Sequence, residues 1–480
     1  MNLARIIEDH PSDAVAVIDG EDTLTYGALR DAVDGLRAVL AADGVETGTP
    51  VGVAAGNEAQ FAIVSLAVLG LGAIVMPLNP TSTAHEMAQK ASAGHIALVV
   101  LGEETRVDEE AAETIGVPVV SAADLLARID PAQEVPEIVD CADDDSAFYM
   151  ATSGVTGSPK VAVLSHHNLG WVHEALLQEA DPIGPDDVLL AALPFAHIFG
   201  LNVVLLAGLR AGSTLVMQRR FDADESLELM RRYGIRTLSG APPMWRRWAM
   251  SGADDVLSRL DRAVSGAAAL PLSVYEEFRD RYGVEITQGY GLTETAPLVT
   301  MGRGHDVRPA SVGKVVDGVQ VALVDPEGRP VDLGDQGEIV IRSPGVFQGY
   351  LDDPDTTHSV LTDDGWFWSG DVGIFDDDGY LYLVDRIKDL IIVSGFNVYP
   401  AEVEDVLLRH PDVTGAIVVG EADVNSGETV VAHVSGTRDE ESLRAHVAQY
   451  LSRYKLPTRY EFVDELPMAP TGKAIRRAVR

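Results

Sequence analysis

The run Thr152-Ser153-Gly154-Val155-Thr156-Gly157-Ser158-Pro159-Lys160 gathers hydroxyls, glycines and a lysine into one loop, directly after the strand-like Phe148-Tyr149-Met150-Ala151. Glycines let backbone N–H groups approach phosphate oxygens, hydroxyls add donors, and the lysine adds a positive charge. It is not the P-loop of mononucleotide-binding NTPases, because Pro159 interrupts it and Val161 follows Lys160. A second stretch, Gln288-Gly289-Tyr290-Gly291-Leu292-Thr293-Glu294-Thr295, sets a ring beside glycines, then a hydroxyl and a carboxylate. The ring suits a nucleobase, the hydroxyl a phosphate, and the carboxylate Mg²⁺. A third, Ser369-Gly370-Asp371 followed by Asp385-Arg386-Ile387-Lys388-Asp389, offers an acidic partner for ribose hydroxyls. Pro470-Thr471-Gly472-Lys473 is the fourth. Taken singly, each also reads as a turn or a salt-bridged surface.

The elements that must carry these residues alternate in the first half of the chain. Leu29, Val33, Leu36 and Leu40 recur at helical spacing within Leu24–Leu40, Val51–Ala55 reads as a buried strand, Ala59–Leu69 as a helix, and Ala73–Pro77 and Ile96–Leu101 as further strands. Such alternation implies parallel sheets covered by helices, an α/β fold. Beyond about residue 315 the pattern turns to period-2 segments, Val319–Val324 and Glu338–Ile341, split by Gly- and Asp-rich turns. The triple aspartate Asp376-Asp377-Asp378 before Gly379 reads as a hairpin turn rather than a metal cluster. A boundary falls near Asp385–Asp389, giving an amino-terminal domain of residues 1–386 and a small α+β domain of residues 387–480. The latter is read as helix Pro400–Arg409, strands Gly415–Val419 and Thr429–Val434, helix Glu440–Tyr454 and strand Arg459–Phe462.

Together and in this order, the four motifs resemble the adenylate-forming superfamily of acyl-CoA synthetases, luciferases and peptide-synthetase adenylation domains. The likeness runs from Thr23-Leu24-Thr25-Tyr26 to Lys473. It implies a large multi-layer amino-terminal domain of sheets and helices with a small mobile carboxyl-terminal domain. It also implies activation of a carboxylic acid by ATP and Mg²⁺ to acyl-AMP, then transfer to coenzyme A. Carried over, Thr152, Ser153, Gly154, Thr156, Gly157 and Lys160 form the phosphate loop, Thr293 contacts phosphate and Glu294 partners Mg²⁺. Tyr290, Gly266 and Ala267 line the adenine pocket, Asp371 and Arg386 bind ribose, and Lys388 marks the hinge. Ser394 and Gly395 belong to the loop that swings in for thioester formation, and Lys473 bridges the acid and the α-phosphate during adenylation. Two positions depart from the pattern: Val155 where threonine is usual, and Val161 where glycine is usual. The first removes a hydroxyl and so one possible phosphate contact, and the second, being β-branched, stiffens the loop.

Pro194-Phe195-Ala196-His197-Ile198-Phe199-Gly200 resembles the family's acyl-pocket segment, with His197 near the acyl carboxylate. No aspartate for a substrate ammonium lies in Pro194–Asn202, and the arginine of malonate activators is replaced by Gly289, preceded by Gln288. An uncharged, apolar tail follows, with Phe199, Leu201, Val203 and Trp245 as lining and Gly289 leaving room. A fatty acid is the favoured substrate, with arene tails left open. An acyl-AMP ligase serving a carrier protein, a nucleotide- or acyl-binding protein without catalysis and, more remotely, an oxygenase of the luciferase kind are the alternatives.

Bulk properties bound these readings. A net charge of −38 argues against nucleic acid, whose phosphates need Lys and Arg. The last stretch, Arg453–Arg480, reverses that sign with seven basic residues against three acidic, a balance suited to approaching a polyphosphate. One cysteine, Cys141, cannot form an internal disulfide. The longest apolar run, Phe61–Leu78, is broken by Ser65, Gly70 and Gly72 and lacks basic flanks, so a buried helix and strand are expected rather than a membrane span. The chain is expected to be soluble and cytoplasmic; oligomeric state is not legible.

Overall fold

Local sequence sets the elements before the sheets assemble. Thr83 with Glu86, and Ser165 with Asn168, close capping boxes at the starts of helices Ala84–Ala93 and His166–Leu177. The apolar run from Phe61 resolves into helix Ala59–Gly70 and strand Ile74–Leu78, as expected. Gly72, at φ +66°, makes the turn between them in a left-handed conformation that costs other residues energy. Among the described residues no helix is long and apolar enough to cross a membrane.

The computed structural model describes residues 1–152, 159–302, 306–386, 389, 391–393, 396–423, 427–468 and 475–479. Two large sheets form the body. In a seven-stranded sheet, Ile74–Leu78, Pro50–Ala54, Leu98–Leu101 and Val119–Ser121 run parallel. At its other end Ser146–Thr152, Lys160–Ser165 and the short Gly349–Tyr350 pair antiparallel. A thirteen-stranded sheet is parallel through Val15–Asp19, Thr214–Met217, Val188–Ala191, Thr237–Gly240, Arg262–Ser265 and Thr287–Tyr290. From Thr300–Met301 onward it turns antiparallel, through Ser311–Val315, Tyr380–Arg386, Phe367–Phe375, Gly337–Arg342 and Gln320–Val324. The change of texture expected near residue 315 is this switch.

One core runs through both sheets from Leu3 to Leu381, and a separate one joins Ile391 to Tyr460 around a five-stranded sheet. A large α/β domain with a smaller carboxyl-terminal one is the result. The helix expected over Glu440–Tyr454 is shorter, Glu440–Val447. The chain turns after it so that Leu451 packs into the small core and Lys455 reaches Glu402 at 2.6 Å. The Asp376–Gly379 turn joins two antiparallel strands, and Arg308 binds both Asp376 and Asp378, which accounts for the aspartates without a metal.

Candidate active site

The two large sheets meet at a cavity of about 680 Å³. One end is built by the antiparallel pair Ser146–Thr152 and Lys160–Ser165, whose register sets Thr152 directly opposite Lys160. The segment read from sequence as a phosphate loop thus connects the two strands of a ribbon. Thr152 and Lys160 line the cavity, while Ser153, Gly154, Val155, Thr156 and Gly157 lie outside the described residues. Val161 is buried in a strand against the satellite core around Met76 and Tyr149, which is why a β-branched residue suits a position where glycine was expected.

The edge of the other sheet supplies the second motif. Gly289, Tyr290, Gly291, Thr293 and Glu294 all face the cavity, beside Gly266 and Ala267 at the end of strand Arg262–Ser265. Gly291 has no substitute: a Cβ there would stand 1.6 Å from the Pro297 carbonyl oxygen. The Tyr290 hydroxyl donates to Asp371 at 2.8 Å, tying the second and third motifs, and Asp371 lies one residue beyond the wall formed by Ser369 and Gly370. Strand register sets Asp371 opposite Arg386.

The acyl segment is a π-helix, Phe199–Leu206, wider than an α-helix and of a type that concentrates at functional sites. It turns Phe199 and Val203 to the cavity, where Leu176, Val264, Leu298 and Met301 complete an apolar end. A further space of about 60 Å³ shares Leu176, Val203, Val264 and Met301 with it. His197 lines the cavity, and its Nδ1 accepts from the Phe199 N–H at 3.2 Å, which puts the ring proton on Nε2. Two expected lining residues fall elsewhere. Trp245 is wholly buried behind the site, its indole N–H donating to the Gly240 carbonyl at 3.1 Å and its rings edge-on to Trp248 and Phe278. Leu201 points into the core on the far face of the π-helix.

Sequence reading missed two residues. Tyr350 lines the cavity, donates to Glu294 Oε1 at 2.7 Å and carries Lys160 Nζ 5.2 Å from its ring centroid. Burial, then the Glu294 charge, push its phenol pKa far up. Asn202, wholly buried on the π-helix, donates to the Ala296 carbonyl at 2.6 Å and accepts from His173 Nε2 at 2.7 Å. Asn202 follows the Pro194–Gly200 segment closely in sequence, whereas Tyr350 lies beside none of the motifs and carried no local signal.

Among the described residues no group of three or more His, Cys, Asp or Glu is arranged to hold a metal by itself. A Mg²⁺ shared between one carboxylate and nucleotide phosphates needs no such cage. Glu294 suits that role, with one oxygen held by a phenol and the residue facing the cavity beside Thr152 and Lys160. Arg386 is placed only by its backbone, and Lys388, Ser394, Gly395 and Lys473 lie outside the described residues.

Fold and cavity define an adenylate-forming enzyme. The model of the AMP-binding enzyme family matches residues 3–351, and that of the AMP-binding enzyme C-terminal domain matches residues 402–473. Feruloyl-CoA synthase from an Amycolatopsis species is 36% identical over 97% of this chain and 95% of its own. 4-Coumarate–CoA ligase 3 of Oryza sativa subsp. japonica is 34% identical, covering 97% and 88%. Among solved structures, ATP-bound MatB from Rhodopseudomonas palustris shares the fold at a TM-score of 0.91 and 31% identity, covering 100% of this chain and 98% of that one. The chain belongs to the AMP-binding enzyme family, and acyl-adenylate-forming ligase activity is the reaction class that membership supports.

Proposed function

We propose that this protein is an AMP-forming acid–CoA ligase whose substrate is an aromatic acid of the arylpropenoate type. The observation that carries the reading is the apolar part of the cavity lining, made by Phe199, Val203, Val264, Leu298 and Met301. The fatty tail favoured from sequence gives way because ferulate and coumarate are the acids named for similar chains. A flat ring fits between a phenyl face and β-branched walls at little cost in conformational freedom.

In this reading adenine lies against Tyr290, Gly266 and Ala267, and ribose is held by Asp371 and Arg386. The phosphates meet Thr152–Lys160 and Thr293. Glu294 would hold Mg²⁺, which supplies charge neutralisation on the phosphates. His197 Nε2–H orients the carboxylate, whose oxygen attacks the α-phosphorus and expels pyrophosphate. Repulsion between the two anions opposes that attack, and Lys160 with Lys473 offsets it. Motion of residues 387–480 about Lys388 then withdraws Lys473 and brings in Ser394 and Gly395. The coenzyme A thiolate adds to the acyl carbonyl and AMP leaves.

The test is release of AMP and pyrophosphate with ATP, Mg²⁺ and a panel of cinnamic, benzoic and fatty acids, with and without coenzyme A. Arylpropenoates should give at least tenfold higher kcat/KM than fatty acids and yield the thioester. A preference for fatty acids overturns the substrate, acyl-AMP that coenzyme A does not discharge overturns the acceptor, and no pyrophosphate with any acid overturns catalysis.

A further inference from the structure

Lys160 and Glu294 are opposite charges lining one cavity, and two such groups left to themselves tend to pair and neutralise each other. Here they do not: Lys160 Nζ lies over the Tyr350 ring, within electrostatic reach of Asp353 rather than against Glu294, and Glu294 accepts from the Tyr350 hydroxyl. The two charges arrive on separate elements, Lys160 opening strand Lys160–Ser165 of one sheet and Glu294 in the turn Thr293–Thr295 beside the other. The segment around Tyr350 is bonded to both. Gly349 and Tyr350 pair with Val163 and Ala162, Leu351 donates to the Val161 carbonyl at 2.8 Å, and the Phe347 N–H donates to the Glu294 carbonyl at 2.9 Å. Phe347 also packs edge-on against Tyr350, at 4.9 Å between centroids, which fixes the ring.

We propose that Tyr350 is a positioning residue that holds Glu294 by its hydroxyl and Lys160 by its ring face, keeping the two charges apart and both available to a metal–nucleotide ligand. The chemistry of the side chain suits the task. A phenol donates a hydrogen bond to a carboxylate without cancelling its charge, and an aromatic face attracts an ammonium without neutralising it. An Arg or Lys here would neutralise Glu294, and a leucine would let Lys160 swing toward it. The inference rests on the proposed function, in which Glu294 meets Mg²⁺ and Lys160 meets phosphate, and adds how their spacing is set.

The test separates hydroxyl from ring, using ATP binding by calorimetry without acid substrate, once with Mg²⁺ and once with EDTA. Tyr350→Phe keeps the ring and should lose roughly tenfold of the affinity gained from Mg²⁺, as expected for a hydrogen bond to a charged group, with binding in EDTA within twofold of wild type. Tyr350→Leu should also weaken binding in EDTA severalfold, because Lys160 loses its support. Combined with Glu294→Gln, Tyr350→Phe should cost nothing further, a result independent of how well the leucine variant folds. Equal losses for Tyr350→Phe with and without Mg²⁺, or a lowered Tm with the Mg²⁺ gain intact, overturn the inference and leave only a packing role. A wild type that binds ATP with no gain from Mg²⁺ overturns the role given to Glu294, and this inference with it.

Discussion

Replacing Asn202 by alanine tests whether the acyl wall and the nucleotide turn are one mechanical unit. The side chain is fully buried; its Nδ2 donates to the Ala296 carbonyl at 2.6 Å and its Oδ1 accepts from His173 Nε2 at 2.7 Å. Ala296 and His173 are buried too, so Asn202→Ala strands a carbonyl and an imidazole N–H. Each costs about 1–3 kcal/mol when left unmet, and the missing amide adds a small void. The expected loss of stability is about 3–5 kcal/mol, read from urea denaturation. Function should change in a specific way, because Phe199 and Val203 lie on the same π-helix while Thr293 and Glu294 precede Ala296. KM for ATP and KM for the acid should rise together. Asn202→Asp keeps the acceptor for His173 but cannot donate to Ala296, so it should raise KM for ATP more than KM for the acid. It should also raise the His173 pKa, which burial now holds down at about 4. A stability change within about 0.5 kcal/mol for Asn202→Ala, the range of an ordinary surface substitution, would refute the reasoning. So would a large loss of stability with both KM values unmoved.

Gly289→Leu should block the acyl end without disturbing the fold, since a Cβ there meets only the Thr300 carbonyl oxygen, at 3.4 Å. A fall of about 100-fold in kcat/KM for aromatic acids, with calorimetric ATP affinity little changed, is expected, about 3 kcal/mol of lost binding or fit; unchanged kcat/KM would place the acid elsewhere. His166 predicts a pH dependence: burial lowers its pKa to about 4 from 6.5, and its Nδ1 accepts from the Leu3 N–H at 3.1 Å. The folded state resists a proton that the unfolded chain accepts, so this stability is full above pH 6.5 and is lost as pH falls toward 4, by on the order of 3 kcal/mol. His166→Asn, whose carbonyl can still accept from Leu3, should make the fall in urea midpoint between those pH values shallower, leaving the share due to His173. A slope equal to wild type would refute the assignment.

What was legible in the chain was local. Glycine, hydroxyl and charge at short spacing mark the candidate phosphate loop and the Tyr290–Glu294 turn, and the structure brings Thr152, Lys160, Tyr290, Thr293 and Glu294 to one cavity. Sheet order was not legible, because neighbouring strands such as Val15–Asp19 and Thr214–Met217 lie far apart in sequence, and no local pattern encodes that pairing. Trp245 misled for a related reason. A pocket wall and a core position both call for an apolar side chain, and only packing against Trp248 and Phe278 decides between them. The π-helix hid in an apolar run, since Phe199–Leu206 is buried at nearly every position and carries no amphipathic signal.

A site assembled at the seam of two sheets has to fix loops whose own backbones make few regular hydrogen bonds, and buried asparagines do this at three places. Asn57 donates to the Ala191 and Leu193 carbonyls at 2.7 and 2.9 Å and accepts from the Phe195 N–H, fixing the approach to His197. Asn168 donates to the Pro344 and Val346 carbonyls at 2.8 and 2.9 Å and accepts from the Ser165 N–H, fixing the run into Tyr350. Asn202 completes the set at Ala296. A primary amide is the shortest side chain that offers donors and an acceptor in one plane. Aspartate could not serve, because it has no donor for two carbonyls, and a leucine of similar size would leave those carbonyls buried and unmet. Each amide uses its donors and its acceptor, so the desolvation cost of a half-satisfied polar group is avoided. None brings a formal charge toward the cavity. On the proposed function, in which Lys160 and Glu294 keep their charges for the ligand, neutral clamps support the loops without offering either one a competing partner.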